Sequence, residues 1–204
     1  MSDTHGAVAA TAAVVHSRPR VVLVGPPGAG KSTIGRRLAS ALNLPLVDSD
    51  ELIEQGEGKA CGEVYLEHGE KNFRELEAGY VATALATGGV VSLGGGAVLN
   101  DATRTLLQAH TVVWIDVSAE EGIRRTANET TRPVLNAADP AQHYRDLLAS
   151  REHLYREVSS HRVRTDERLR ERDFGAFDRM TGAGIREHFP DEAERRDLLG
   201  KFYY

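Results

Sequence analysis

The chain has 204 residues, 41% hydrophobic and 27% charged, which suits one folded domain with a core of its own. A formal net charge of −5 weighs against a nucleic-acid platform, and no stretch is apolar enough to span a bilayer. The single cysteine, Cys61, excludes an intrachain disulfide and fits a reducing compartment, so a cytoplasmic location is expected.

Residues 1–19 read as a flexible N-terminal extension. Ala7–Val15 is Ala/Val-rich, but Asp3 and no basic residue precedes it, which makes a poor signal peptide. The first strand is expected at Val21–Val24, and a helix at Lys31–Leu42. Pro45–Val47, ending at Asp48, is a short second strand, and Gly89–Leu93 a third. Thr111–Ile115 is a fourth, apolar throughout as a strand buried on both faces should be. His161–Arg164 is a weak fifth. Helical patterns fill the intervals: Glu70–Ala86, Ala102–Gln108, Ala119–Thr126 and Ala141–Val158. Strands alternating with helices imply βαβ units and a parallel sheet, whose ligands sit beyond the carboxyl ends of the strands. Asn128–Pro140 is a polar loop with no helical period, long enough to be a lid. A weak helix, Phe174–Phe189, precedes a C-terminal extension over 190–204. The eight histidines show no metal-ligand spacing and read as surface or packing residues.

Gly25–Ser32 reads Gly-Pro-Pro-Gly-Ala-Gly-Lys-Ser. This is a full G-x-x-x-x-G-K-[ST] phosphate loop, and it stands between a strand and a helix as the motif requires. Its backbone N–H groups and the following helix dipole attract phosphate. Lys31 can reach the β and γ phosphates, and the Ser32 hydroxyl can bind Mg²⁺.

Other candidates follow the strands. Asp48 and Asp50 flank Ser49, so both carboxylates can face one cleft and hold Mg²⁺ or a reacting hydroxyl. The same residues also suit a helix cap. Arg74 and Glu77 share a helix face, either as a surface ion pair or as an arginine steered toward an anionic substrate. Gly94–Gly96 ends the third strand and admits a ligand close to the backbone. Arg132 lies in the lid, where a mobile arginine can close over a transferring phosphoryl group. Arg124, Arg125 and Arg151 are ambiguous by themselves.

Together these pieces resemble the shikimate kinase family, within the nucleoside-monophosphate-kinase-like P-loop proteins. The resemblance runs from about Val21 to Thr165. It rests on the phosphate loop through Ala39, Asp48-Ser49-Asp50, G-E-x-x-F-R-x-x-E at 69–77 and S-L-G-G-G-A-V at 92–98. Arg124-Arg125-Thr126, T-R-P-V-L at 131–135 and R-x-x-L-Y at 151–155 complete it. It implies an α/β three-layer P-loop NTPase fold with a five-stranded parallel sheet of order 2-3-1-4-5 and a mobile lid. A single domain would cover 20–189, with an acceptor-binding segment at about 49–77 and the lid at about 127–140.

The implied reaction moves the γ-phosphoryl of ATP to the 3-hydroxyl of shikimate, in line and with Mg²⁺ bridging the β and γ phosphates. Asp50, Lys31 and Arg132 would be catalytic. Gly28, Ala29, Gly30, Lys31, Ser32, Thr33, Arg125 and Arg132 would bind ATP, with Arg125 stacked on adenine. Asp50, Arg74, Gly95, Gly96, Arg151, Glu77, Tyr65 and Phe73 would bind the acceptor. In that set Arg74 and Arg151 clamp the carboxylate, Glu77 orders the arginines, and the aromatics form an apolar wall. Ser32 and Asp48 would hold the metal. The implied partners are the two small substrates alone, with no nucleic acid, no membrane and a monomeric chain.

Three features depart from the family pattern. Tyr65 replaces the usual Phe, Val163-Arg164-Thr165 replaces Val-Asp-Thr, and no proline follows up to Asp173. The second and third fall on the adenine side. Gluconate or a nucleoside monophosphate is the alternative acceptor, although the acidic pair suits a hydroxyl better than a phosphate. A non-catalytic nucleotide switch is the alternative class, and the sequence holds no N-K-x-D guanine-reading motif.

Overall fold

A computed structural model of the chain describes residues 18–127 and 139–166. Five strands, β1 (Pro19–Val24), β2 (Leu46–Asp48), β3 (Gly89–Ser92), β4 (Val112–Asp116) and β5 (His161–Arg164), form one sheet in the order β2-β3-β1-β4-β5. The pairs β1–β3, β1–β4 and β2–β3 are parallel. The helices are α1 (Lys31–Leu42), α2 (Ser49–Glu57), α3 (Cys61–Leu85), α4 (Asp101–Leu107), α5 (Ala119–Thr126) and α6 (Pro140–Val158), with a 3₁₀ turn at Ala97–Leu99. This is the expected P-loop architecture and strand order.

Side chains alternate across a strand, and β1 shows why its run is wholly apolar. Val22 and Val24 pack into one core with Val91, Trp114, Val81 and Leu85 of α3, Leu107 of α4, and Tyr155 and Val158 of α6. Val21 and Leu23 pack into a second core with Val90, Ile115 and Ala39, against Ile34 and Leu38 of α1. The sheet is therefore sandwiched, and its central strands are buried on both faces. β5, exposed along its length, forms an edge. A third, smaller cluster of Ile53, Val64 and Phe73, lined by Tyr65, Leu76 and Tyr80, joins α2 to α3.

Register sets the functional edge. Leu23 of β1 and Asp48 of β2 both pair with Ser92 of β3, and Val24 pairs with Trp114 of β4. The carboxyl ends of these strands are therefore level, and the loops that follow them lie side by side.

Two elements differ from expectation. No helix is expected over 49–57, yet Asp48 leads straight into nine helical residues, its side chain accepting from the Asp50 N–H as an N-cap. α3 starts at Cys61 rather than Glu70, but Gly69 inside it has φ 70° and ψ 164°. The expected start at Glu70 thus marks the second of two helical pieces.

The chain separates into two compact units, Met1–Val163 and Arg164–Tyr204. Of the second, only Arg164–Asp166 are described, and there Arg164 pairs with Asp166 at 3.0 Å. The expected helix at 174–189, the expected C-terminal extension, the interior of the expected lid and residues 1–17 lie outside the described residues. Among the described residues no helix is long and apolar enough to cross a membrane.

Candidate active site

The phosphate loop leaves β1 and enters α1 through left-handed glycines at Gly28 (φ 73°) and Gly30 (φ 90°). Gly30 is the N-cap and makes no side-chain cap hydrogen bond, and the N-terminal end of a helix attracts phosphate. Lys31 folds back across the loop, its Nζ donating to the Gly25 carbonyl at 2.9 Å and the Pro26 carbonyl at 3.0 Å. Ala29 is buried, while Ser32 and Thr33 open to solvent at the start of α1. Arg125, on α5, pairs with Glu121 at 2.7 Å and donates to the Gly28 carbonyl at 3.2 Å, which fixes it against the loop.

At the end of β2 the Asp48 carboxylate uses both oxygens. One caps α2 through the Asp50 N–H at 3.0 Å, and the other accepts from the Ser32 hydroxyl at 3.1 Å. The cap and the cleft readings of this acid therefore coexist. The pair is also a hard-oxygen donor set beside the phosphate cradle, the kind Mg²⁺ prefers. Among the described residues no three His, Cys, Asp or Glu side chains converge on a metal position.

Arg74 is held on α3 by Glu77 at 2.6 Å and by Glu70 at 3.7 Å. Its guanidinium stands 5.3 Å from the Phe73 ring and 5.8 Å from the Tyr65 ring, and those two rings meet edge to face at 5.3 Å. The buried Arg74 Nε has no hydrogen-bond partner among the described residues. Glu77 is 2% exposed. Burial pushes its carboxyl above the usual carboxylate range, opposed by the charge and hydrogen bond of Arg74, while Asp50 pushes it further up.

The glycine turn after β3 is where these groups converge. A Cβ on Gly94 would meet the carboxylates of Asp50 and Glu77, and one on Gly96 would collide with the Arg74 guanidinium. The Gly94 N–H donates to the Ser49 hydroxyl at 2.9 Å, which ties the turn to α2. Arg151, 7% exposed on α6, donates to the Gly95 carbonyl at 3.2 Å. No described group accepts from the N–H of Gly95 or Gly96.

One cavity of about 500 Å³ is lined by Ser32, Asp48, Asp50, Tyr65, Phe73, Arg74, Glu77, Gly94, Gly95, Gly96 and Arg151. Residues from five separate sequence segments thus share one cleft beside the phosphate loop. Arg132 lies outside the described residues. Sequence reasoning missed Arg36, Glu51, Glu54, Cys61 and Leu147, which also line the cavity. Helical spacing could have found two of them, since Glu54 is one turn beyond Asp50 and Leu147 one turn before Arg151.

A cleft with acids, arginines and a phosphate loop suits phosphoryl transfer to a small hydroxylated acid. Comparison with known proteins agrees. A family model described as shikimate kinase matches residues 27–180. The shikimate kinase of Corynebacterium efficiens is 70% identical over 152 residues, covering 74% of this chain and 90% of that protein. That of Corynebacterium glutamicum is 68% identical over 150 residues, covering 74% and 89%. Among solved structures, shikimate kinase from Acinetobacter baumannii in complex with shikimate matches with a TM-score of 0.70 at 35% identity, over 74% of this chain and 86% of that one.

Proposed function

The chain belongs to the shikimate kinase family, and from that premise we propose how its own residues carry the family's reaction, in which the γ-phosphoryl of ATP passes to the 3-hydroxyl of shikimate, giving shikimate 3-phosphate and ADP. The observation that supports the assignment of roles is the shared cavity. Ser32 of the phosphate loop and the acceptor-side residues Asp50, Arg74 and Arg151 all line it.

Arg74 and Arg151 clamp the shikimate carboxylate, since a guanidinium fork matches a carboxylate and a charge-assisted bond contributes about 1.5–3 kcal/mol. Glu77 fixes Arg74 in place. Tyr65 and Phe73 wall the apolar side of the ring, and the Gly95 and Gly96 N–H groups donate to the substrate. Asp50 takes the 3-hydroxyl and orients or deprotonates it. Gly28–Thr33 cradle the triphosphate, Lys31 neutralises charge on the transferring group, and Arg125 packs on adenine. Arg132 closes with the lid, which excludes water that would otherwise hydrolyse ATP. Ser32 and Asp48 would hold Mg²⁺, which supplies charge neutralisation on the β and γ phosphates when bound. Positioning and charge do most of the work of phosphoryl transfer. The working unit is a monomeric cytoplasmic domain over about 20–189.

Mg-ATP with a panel of acceptors in an ADP-release assay tests this reading. ADP release that depends on shikimate is expected, and release with gluconate alone would overturn it.

A further inference from the structure

Helix α6 carries two buried tyrosines that the reaction above does not use. Tyr144 is 1% exposed and its hydroxyl donates to the Pro27 carbonyl at 2.7 Å. Tyr155 is 0% exposed and its hydroxyl donates to the Gly95 carbonyl at 2.6 Å. Their spacing in α6 comes to about three full turns at 3.6 residues per turn, so both lie on one helix face. One carbonyl belongs to the phosphate loop and the other to the glycine turn of the acceptor side. The two loops touch, for a Cβ on Gly95 would stand 3.1 Å from the Pro27 ring.

A trans peptide is planar, with its carbonyl and its N–H pointing in opposite directions. Tying the Pro27 carbonyl to α6 therefore turns the Gly28 N–H away from the helix. Tying the Gly95 carbonyl does the same to the Gly96 N–H. Neither N–H has an acceptor among the described residues, and an oriented, unspent backbone donor beside a cleft is a ligand contact. Arg151, one turn before Tyr155, donates to the same Gly95 carbonyl at 3.2 Å, so that peptide is held from two points.

We propose that Tyr144 and Tyr155 are positioning residues. α6 acts as a strut that aims the Gly28 N–H at the nucleotide phosphates and the Gly96 N–H at the acceptor, and it sets the distance between the two loops. The inference rests on the site reading above and deepens it, because it assigns the two substrates to two separate hydroxyls of one helix.

Tyr155→Phe keeps the ring stacked on Trp114, 6.0 Å between centroids, and removes only the hydroxyl. Tyr144→Phe does the same at the other end. KM for ATP, KM for shikimate, kcat and thermal midpoints are measured for both variants and the parent chain. Tyr155→Phe is expected to raise the shikimate KM roughly tenfold, the loss of about one hydrogen bond, with the ATP KM unchanged. Tyr144→Phe is expected to do the reverse. A purely structural role would lower the thermal midpoints while leaving both KM values alone or moving them together, and either pattern overturns the inference. If one variant does not fold, the other decides by itself, since each must shift one KM and spare the other. A parent chain without shikimate-dependent ADP release would overturn the site reading first, before any variant is assayed, and the inference with it.

Discussion

The carboxylates of Asp50 and Glu77 converge on a single glycine. A Cβ on Gly94 would lie 2.5 Å from Asp50 Oδ1 and 2.8 Å from Glu77 Oε1. The acids come from α2 and α3, and only a residue without a side chain lets the β3 turn pass between them. Gly94→Ala should displace one carboxylate or the turn, at a cost of about 1–3 kcal/mol. Turnover is expected to fall at least about 100-fold, as a misplaced reacting group would cause, with ATP affinity retained. ATP titration beside the ADP-release assay checks both halves; near-normal turnover would contradict the packing.

Arg74→Ala removes a proposed carboxylate clamp and leaves Glu77 buried without its ion pair at 2.6 Å. The shikimate KM should rise roughly 10–100-fold, the equivalent of a charge-assisted bond of about 1.5–3 kcal/mol. Separate titrations of ATP and shikimate read this out. Loss of ATP affinity alone would refute the assignment.

Arg132→Ala tests the arginine proposed to close over the transferring phosphoryl group, which lies outside the described residues. A finger-type contact is made mainly in the transition state, so kcat should fall roughly 10³–10⁵-fold with the shikimate KM little changed. Unchanged turnover would remove Arg132 from the mechanism.

The alkaline limb of stability should report Tyr155. Burial pushes its phenol from 10.0 up to about 12, against the lowering effect of Arg151. The folded state therefore binds this proton more tightly than the unfolded chain. That stabilisation is intact below pH about 10 and is lost as pH rises through about 12, at about 1.4 kcal/mol per pH unit. Denaturant melts between those pH values should show a shallower decline for Tyr155→Phe than for the parent chain. Parallel declines would show that the group titrates normally.

Chelation with EDTA should stop ADP release, and added Mg²⁺ should restore it. Ser32→Ala should raise the Mg²⁺ concentration for half-maximal turnover by roughly tenfold or more. An unchanged Mg²⁺ requirement would exclude the Ser32 hydroxyl as a ligand.

Much of the frame could be read from local pattern. α1 and α5 occur with the bounds expected, because each has a clear start signal and a helical period. The loop residues that follow strands gather at one edge because parallel topology forces them there. α2 has little signal of its own because it is short, carries few apolar residues and begins directly at a strand end, although Asp48 and Ser49 do suit a cap. The roles of Tyr144 and Tyr155 were hidden for another reason. Their partners are backbone carbonyls 117 and 60 positions away, and no spacing rule within one helix reveals a tertiary acceptor. Even so, their common face could be read from their separation.

The small cluster of Ile53, Val64 and Phe73 packs on itself instead of into either face of the sheet. The aromatic wall proposed for the acceptor thus has a foundation of its own. On that reading, substitutions there should reshape which ring alcohol is admitted while the proposed triphosphate cradle, rooted in the sheet's own core through Ala29, stays as it was. In evolutionary terms, such a division lets a lineage change its choice of acceptor without rebuilding the machinery that handles ATP.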